Sequence, residues 1–397
     1  MQSNSEKQSE NKKALIVNVA VAVIHYQDQY LLGFRSSAQH QGNRYEFVGG
    51  KIESNETAVG ALIREVVEET GIDISDNVLV KLGRLHHDYI DKQVCLQVYK
   101  VALTAAQYEQ HRHCRYGLEE QALTWVPQQA LLAGDYPLPA ANQTILAWLQ
   151  LPTQIAITYP QAHFSADLDS EAAWLTYHQQ HIPKNAWIYI RIKTKNSEQM
   201  TKKLMSMRPD IYTILPCNAN DYDDTNHTLM KSVVLEPIRS EQHNEETKWS
   251  QQNDMSRQIK AFHLTHTELM QGFHASKDRD SKGQSKCSPL ASLNSPLANF
   301  PLIVSCHDVD SIQAANRLAA DRLQNQLPPV IAVFLSPVLA TQTHTDAKPL
   351  GWKSWSSWAQ LADMPVIGLG GLSPAMFEQA AQYGAVSIAG IRQFLLS

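Results

Sequence analysis

Two rhythms of apolar and polar positions divide the chain at Leu151-Pro152. Before that point, residues 14–25 and 30–35 read as strands around the turn Tyr26-Gln27-Asp28-Gln29. Residues 78–88 and 93–103 form a second strand pair, 122–126 a further strand, and 140–149 a short amphipathic helix. From Thr57 onward the apolar residues fall at Val59, Leu62, Ile63, Val66 and Val67, the spacing of one buried helical face. Gly71 then ends that helix. The pattern predicts an α/β domain, a mixed sheet sandwiched by helices, over residues 14–151. Residues 1–13 are polar and read as a disordered tail.

After Pro152, strand-like runs recur at 154–159, 187–193, 211–215, 260–264, 302–306, 330–335, 365–370 and 386–391, most with helical patterns between them. Eight such runs in residues 152–397 predict a TIM-type (β/α)8 barrel, a fold of about 250 residues. A competing strand-like run at 233–235 lies in the polar stretch 218–258. Charged, Ser/Asn/Gln-rich segments at about 240–257 and 275–297 read as disordered insertions.

Bulk properties narrow the function classes. A chain of 397 residues is too long for one ordinary core, which agrees with two domains. The net charge of −5 excludes a surface built for the nucleic-acid backbone, although not a single nucleotide as ligand. Cys95, Cys114, Cys217, Cys287 and Cys306 show no C-x-x-C spacing, as expected of a reduced cytoplasmic protein. The apolar run 14–24 follows Lys12-Lys13, but Asn18 interrupts it and no small-residue cleavage site follows; it reads as a strand and not as a signal peptide. No stretch approaches the ~20 apolar residues of a membrane helix, so no membrane partner is expected.

The candidate chemistry sits on the first helix. At 100° per residue Glu65, Glu68 and Glu69 share an arc of about 100° beside the apolar face, with Arg64 next to Glu68. One arginine cannot neutralise three carboxylates, and oxygen ligands at this density suit Mg²⁺ or Mn²⁺. A solvated acidic face is the usual meaning of such a run. Here Gly50, Glu56, Arg64 and Gly71 stand at fixed offsets around it, and residues 50–72 match G-x5-E-x7-R-E-U-x-E-E-x-G-U at every specified position (U, bulky aliphatic). The segment resembles the Nudix box, a motif far more specific than a lone G-x-G-x-x-G. The resemblance implies a divalent ion held by the Gly49 carbonyl and Glu69, with Glu65 and Glu68 serving additional ions. Glu56 and Arg64 would orient these ligands. It also implies a catalytic set of Glu65, Glu68, Arg64 and a glutamate from a later loop, which is Glu119 in Gly117-Leu118-Glu119-Glu120-Gln121, with Glu120 the neighbouring alternative.

Substrate choice rests outside the box. Arg35, His40, the segment Glu46-Phe47-Val48-Gly49, and Asn142 resemble the MutT-type 8-oxo-dGTP diphosphatases, although Val48 stands where that subgroup usually has proline. Singly, they read as a surface charge, a structural histidine and a helix N-cap. The resemblance implies a nucleoside triphosphate substrate, 8-oxo-dGTP, cleaved to 8-oxo-dGMP and pyrophosphate, with nucleotide-pool sanitation as the consequence. Asn142 has a physical rationale, because 8-oxoguanine carries a hydrogen on N7 and an amide matches its acceptor-plus-donor edge. Another diphosphate, such as a thiamine-related one, is the rival substrate.

The C-terminal half carries Val304-Ser305-Cys306-His307-Asp308, the run Ser336-Pro337-Val338-Leu339-Ala340-Thr341-Gln342-Thr343-His344, and Ile367-Gly368-Leu369-Gly370-Gly371-Leu372. These resemble thiamine phosphate synthase and its TenI-like relatives. The resemblance implies a phosphorylated ligand held by Gly370, Gly371, Thr341 and Thr343, with Arg191 and Lys193 for a pyrophosphate. His344 replaces a lysine, Tyr189 a glutamine, the metal-binding Asn-Asp has no counterpart in 217–220, and Glu268 only loosely replaces the later acidic ligand. A phosphate-binding or degenerate barrel is therefore expected ahead of an active synthase, which would make the protein bifunctional.

Overall fold

The computed structural model describes residues 16–35, 42–88, 93–192, 194–217, 253–281, 290, 297–341 and 348–396. The chain forms two compact units, one of residues 1–77 and 84–141, the other of residues 78–83 and 142–397. Among the described residues no helix is long and apolar enough to cross a membrane.

The first unit is built on a seven-stranded mixed sheet. Its path runs β3 (Arg44–Glu46), β2 (Gln29–Arg35), β1 (Ile16–Tyr26), β6 (Gln93–Ala102), β5 (Leu79–Asp88), with β4 (Val48–Lys51) on β1 and β7 (Ala122–Pro127) on β2. β1 and β6 run parallel over ten residue pairs from Ile16↔Gln93 to His25↔Ala102, whereas β1 meets β2 and β4 antiparallel. Two short helices escaped the sequence pattern, α2 (Ala105–His111) and α3 (Gln128–Ala133). Each is too short to show a helical period; α2 is marked instead by the Thr104/Gln107 capping box.

Helix α1 (Ala58–Thr70) has the predicted ends. The Thr57 hydroxyl accepts from Gly60 N, and Gly71 closes the helix at φ 76° with its N–H on the Val67 carbonyl. Its buried stripe differs from the expected one. Ala61, Leu62, Val66 and Thr70 are buried, while Val59 and Val67 are 39% and 37% exposed. The helix is rotated toward Glu65 and Glu69 because β4 opposite offers the glycine pair Gly49-Gly50. A Cβ on Gly50 would run into the Glu65 carboxylate, and one on Gly49 (φ 150°) into the Ala20 carbonyl.

The second unit holds α4 (Asn142–Leu149) and a closed parallel barrel. The strands are β8 (Gln154–Ile157), β9 (Trp187–Tyr189), β10 (Tyr212–Pro216), β11 (Ile259–Leu264), β12 (Leu302–Cys306), β13 (Val330–Leu335), β14 (Val366–Leu369) and β15 (Ser387–Gly390), with β15 returning to β8. All eight predicted runs appear in order. Strands buried on both faces are continuous apolar segments, as β13 shows with six buried residues, so they stand out from polar connections. The helices are α5 (Ser170–His181), α6 (Ser197–Met207), α7 (Asn253–Gln258), α8 (His266–Ser281), α9 (Val309–Gln324), α10 (Gly351–Ala359) and α11 (Phe377–Gln382).

Both polar insertions are narrower than the sequence suggests. Residues 253–257 lie in α7, which runs directly into β11, and residues 275–281 continue α8. Polar composition hid these helices, since neither segment carries an apolar stripe. The tail 1–13, the run 233–235 and the remainder of both insertions apart from Leu290 and Leu297 lie outside the described residues.

A buried arginine ties the barrel's return path. Arg322 on α9 is 0% exposed, and its guanidinium donates to the carbonyls of Pro328 (2.7 Å), Leu290 (3.0 Å), Leu297 (3.2 Å) and Phe300 (2.7 Å). Each carbonyl stripped of a buried donor costs about 1–3 kcal/mol. Arg322→Met should therefore destabilise the barrel by at least ~3 kcal/mol in urea unfolding, with Arg322→Lys recovering only part, because an ammonium lacks the planar fork. A loss below ~1 kcal/mol would contradict the tether.

Candidate active site

The site of the first unit is assembled where α1 faces β4. Arg64 is its electrostatic hub: its guanidinium reaches Glu56 Oε1 at 2.7 Å, Glu68 Oε2 at 2.9 Å, Glu65 Oε1 at 3.0 Å and the Lys51 carbonyl at 3.1 Å. These bonds hold the Glu56 carboxyl below its ordinary range, mainly through the Arg64 hydrogen bonds, and push the arginine further up. Glu65 and Glu68 thus share one cation.

Among the described residues Glu69 has no such cationic partner. The Gly49 N–H stands 3.4 Å from its Oε2. Burial, then the charges of Glu46, Glu65 and Glu119, push the Glu69 carboxyl up to about 8 against that one donor. Glu46 is also raised by burial, which its ion pair with Arg35 (Nε–Oε2 3.0 Å) opposes without reversing. β2 and β3 bring these two together, pairing Gly33 with Glu46 and Arg35 with Arg44.

Glu119 arrives on a tight turn. The Leu118 N–H and the Gln121 side-chain amide both donate to the Glu69 carbonyl, at 2.8 and 3.1 Å. Arg35, Glu46, Gly49, Arg64, Glu65, Glu68, Glu69 and Glu119 therefore gather around one helix end. Phe47 and Val48 are buried, 4% and 1% exposed, and act as packing beneath the site. His40 lies outside the described residues. Asn142 opens α4, is 8% exposed, and belongs to the second unit. Gln121 escaped the sequence reading; its only signal was the shared five-residue run with Glu119.

Among the described residues no three His, Cys, Asp or Glu side chains converge as a finished metal-ligand set. Arg64 draws Glu65 and Glu68 toward itself. The donor chemistry nevertheless fits a hard divalent cation: the oxygens are carboxylate and carbonyl, and Glu69 sits in an excess of negative charge that a cation would relieve.

The NUDIX domain family matches residues 19–148. The 8-oxo-dGTP diphosphatase of Proteus vulgaris is 33% identical over 108 residues, covering 27% of this chain and 94% of that protein. The chain belongs to the Nudix family. A second relative of this Nudix hydrolase is the CTP pyrophosphohydrolase of Escherichia coli (strain K12), 30% identical over 132 residues, or 33% of this chain and 89% of that one. Nudix hydrolases act on small nucleotide substrates and use divalent metals such as Mg²⁺. The thiamine monophosphate synthase family matches residues 283–394, which gives the Nudix protein a second, C-terminal domain of that type. A thiamine-phosphate synthase candidate of Aquifex aeolicus (strain VF5) is 31% identical over 97 residues, 24% of this chain and 47% of that protein.

The barrel of this Nudix protein has its own cavity, about 1130 Å³, at the carboxyl ends of the strands. Arg191, Thr341, Gly370 and Gly371 line it as the sequence predicts; Lys193, Thr343 and His344 lie outside the described residues. Gly370 (φ 100°) and Gly371 (φ 69°) pack on residues 337–340, where a Cβ would meet Pro337 or the Ala340 carbonyl. His263 escaped the sequence reading: 5% exposed, it places Nε2 2.8 Å from Ser305 Oγ, and burial, with the charges of Arg191 and His307, pushes it down to about 3. Glu268 does not line the cavity, because its carboxylate accepts from Thr265 N (2.7 Å) and Oγ1 (2.8 Å) at the start of α8.

The Glu69 environment has a measurable signature. With a folded value near 8 against an ordinary 4.5, the folded chain keeps a proton that the unfolded chain releases between those values. Stability from this group is full below about 4.5 and is lost as pH rises to 8. In chelator, Glu69→Gln and wild type should unfold alike at pH 5, and the variant should be the more stable at pH 8. Equal thermal midpoints at both pH values would refute the assignment.

Proposed function

We propose that the first unit hydrolyses 8-oxo-dGTP to 8-oxo-dGMP and pyrophosphate. The observation that carries this reading is the half-buried Glu69 under the negative charge of Glu46, Glu65 and Glu119, an excess that a cation bound with a triphosphate would relieve. Glu69, Glu65, Glu68 and the Gly49 carbonyl would hold Mg²⁺. When bound, the ion supplies positive charge to the phosphate oxygens and acidifies water. The chain's own residues do the rest. Glu119 takes the proton of the attacking water, whose oxygen bonds to phosphorus as the α–β bridging bond breaks and pyrophosphate leaves. Arg64 keeps Glu65 and Glu68 oriented, and the Arg35–Glu46 pair borders the site where the nucleotide enters.

Identity of 33% to an 8-oxo-dGTP diphosphatase supports the oxidised purine as substrate; the CTP pyrophosphohydrolase at 30% favours a pyrimidine as the second reading. Turnover of 8-oxo-dGTP, dGTP, CTP and thiamine diphosphate with Mg²⁺ separates them. The expected order puts 8-oxo-dGTP first by kcat/KM, and a larger value for CTP would overturn the choice. Glu119→Gln should lower kcat by about 10²–10⁴-fold, the range of a lost general base.

For the barrel we propose phosphate-ligand binding without synthase turnover. Support comes from Glu268, whose carboxylate is committed to Thr265, and from the described cavity lining, where Arg191 and Arg392 are the cationic residues. The full chain should yield no thiamine phosphate from the pyrimidine diphosphate and thiazole phosphate. Rescue of a thiamine-requiring strain lacking its own synthase would refute this.

A further inference from the structure

We propose that Gln121 is a positioning residue for the hydrolysis, its side-chain amide pinning the turn that carries Glu119 onto the last turn of α1. The inference rests on the reading of Glu119 as proton acceptor. The turn is closed at its base by the Tyr116↔Ala122 bridge and by Gly117 N on the Gln121 carbonyl at 2.8 Å. Glu120 N donates to the Gly117 carbonyl at 3.2 Å, which leaves Leu118 and Glu119 at the two central positions, and Glu120 follows at φ 63°. Leu118 is 70% exposed and Glu119 is exposed as well, so side-chain packing does little to place the glutamate.

What places it is one acceptor. The Glu69 carbonyl lies in the last turn of α1, where carbonyls have no partner further along the helix. It takes the Leu118 N–H at 2.8 Å and Gln121 Nε2 at 3.1 Å. Glu69 therefore gives its side chain to the acidic pocket and its backbone oxygen to the turn. One residue thus links the acidic pocket to the turn that carries Glu119.

The amide of Gln121 has one permitted orientation. Only the NH₂ half can face a carbonyl. The Oε1 half is consequently buried against Gly117, with no hydrogen-bond partner among the described residues. A side chain kept for volume alone gains nothing from an unmet acceptor; the donor is what the position requires. Gly117 completes the arrangement, since a Cβ there would strike the Glu69 carbonyl and the Gln121 side chain.

The test is a double-mutant cycle on the full chain with Mg²⁺ and 8-oxo-dGTP, repeated with CTP. Gln121→Ala, and Gln121→Glu, which keeps the volume but loses the donor, should each lower kcat by about 10–100-fold with little change in KM, the range of lost orienting groups. Adding Glu119→Gln to either should lower kcat no further than Glu119→Gln alone, because both changes act through one group. Wild-type kcat in Gln121→Glu, or effects that multiply in the double variant, would overturn the inference and leave the proton-acceptor reading standing. Wild-type kcat in Glu119→Gln overturns both. Should Gln121→Ala fail to fold, Gly117→Ala displaces the same turn by a clash, and the same cycle applies to it.

Discussion

One guanidinium set among carboxylates is the constraint on which the first unit depends. Like charges crowded on a helix edge oppose folding unless a cation stands between them. Arg64 satisfies three of the glutamates and a backbone carbonyl at once. It cannot serve a fourth. Glu69, on the far side of the stripe, has the Gly49 N–H and neighbours of its own sign, and burial with those charges pushes its carboxyl up to about 8. The helix therefore separates its acidic residues into a neutralised set and an unsatisfied one, and the unsatisfied one is where a foreign cation gains most.

The sheet makes room for this through absence of side chains. Gly49 and Gly50 let β4 lie against the backbone of β1 on one side and the Glu65 carboxylate on the other. Charge on the helix and bare backbone on the strand are complementary requirements, each meaningless alone. The loop at 117–121 then caps the pair from the helix end, using a carbonyl that the helix itself leaves free.

Much of this was legible in the chain, for reasons that differ by element. The barrel strands were visible because parallel strands covered on both faces are unbroken apolar runs, and β13 is the clearest case. The ends of α1 were visible in Thr57 and Gly71, whose roles are local. Its buried face is not legible there, because periodicity ranks residues by apolarity, whereas burial follows the gap over Gly49-Gly50 and favours Ala61 and Thr70 over Val59 and Val67. The carboxylates were readable as a cluster, but not the division of labour between Arg64's partners and Glu69, which depends on distances. Gln121 and His263 were invisible as functional residues because a lone amide or imidazole carries no pattern.

Arg322 binds the barrel in a way that bears on how such a chain can change over generations. Four of its partners are carbonyls, one of them from a proline. Every amino acid presents that group, so the tether demands one side chain and asks nothing of the identities at the other end. At positions 290, 297 and 300 the hydrogen bonds to Arg322 are thereby uncoupled from the side chains, although Leu290 and Leu297 are also buried. A substitution at one of these positions can then leave the hydrogen bond in place, with Arg322 as the fixed point of the tether.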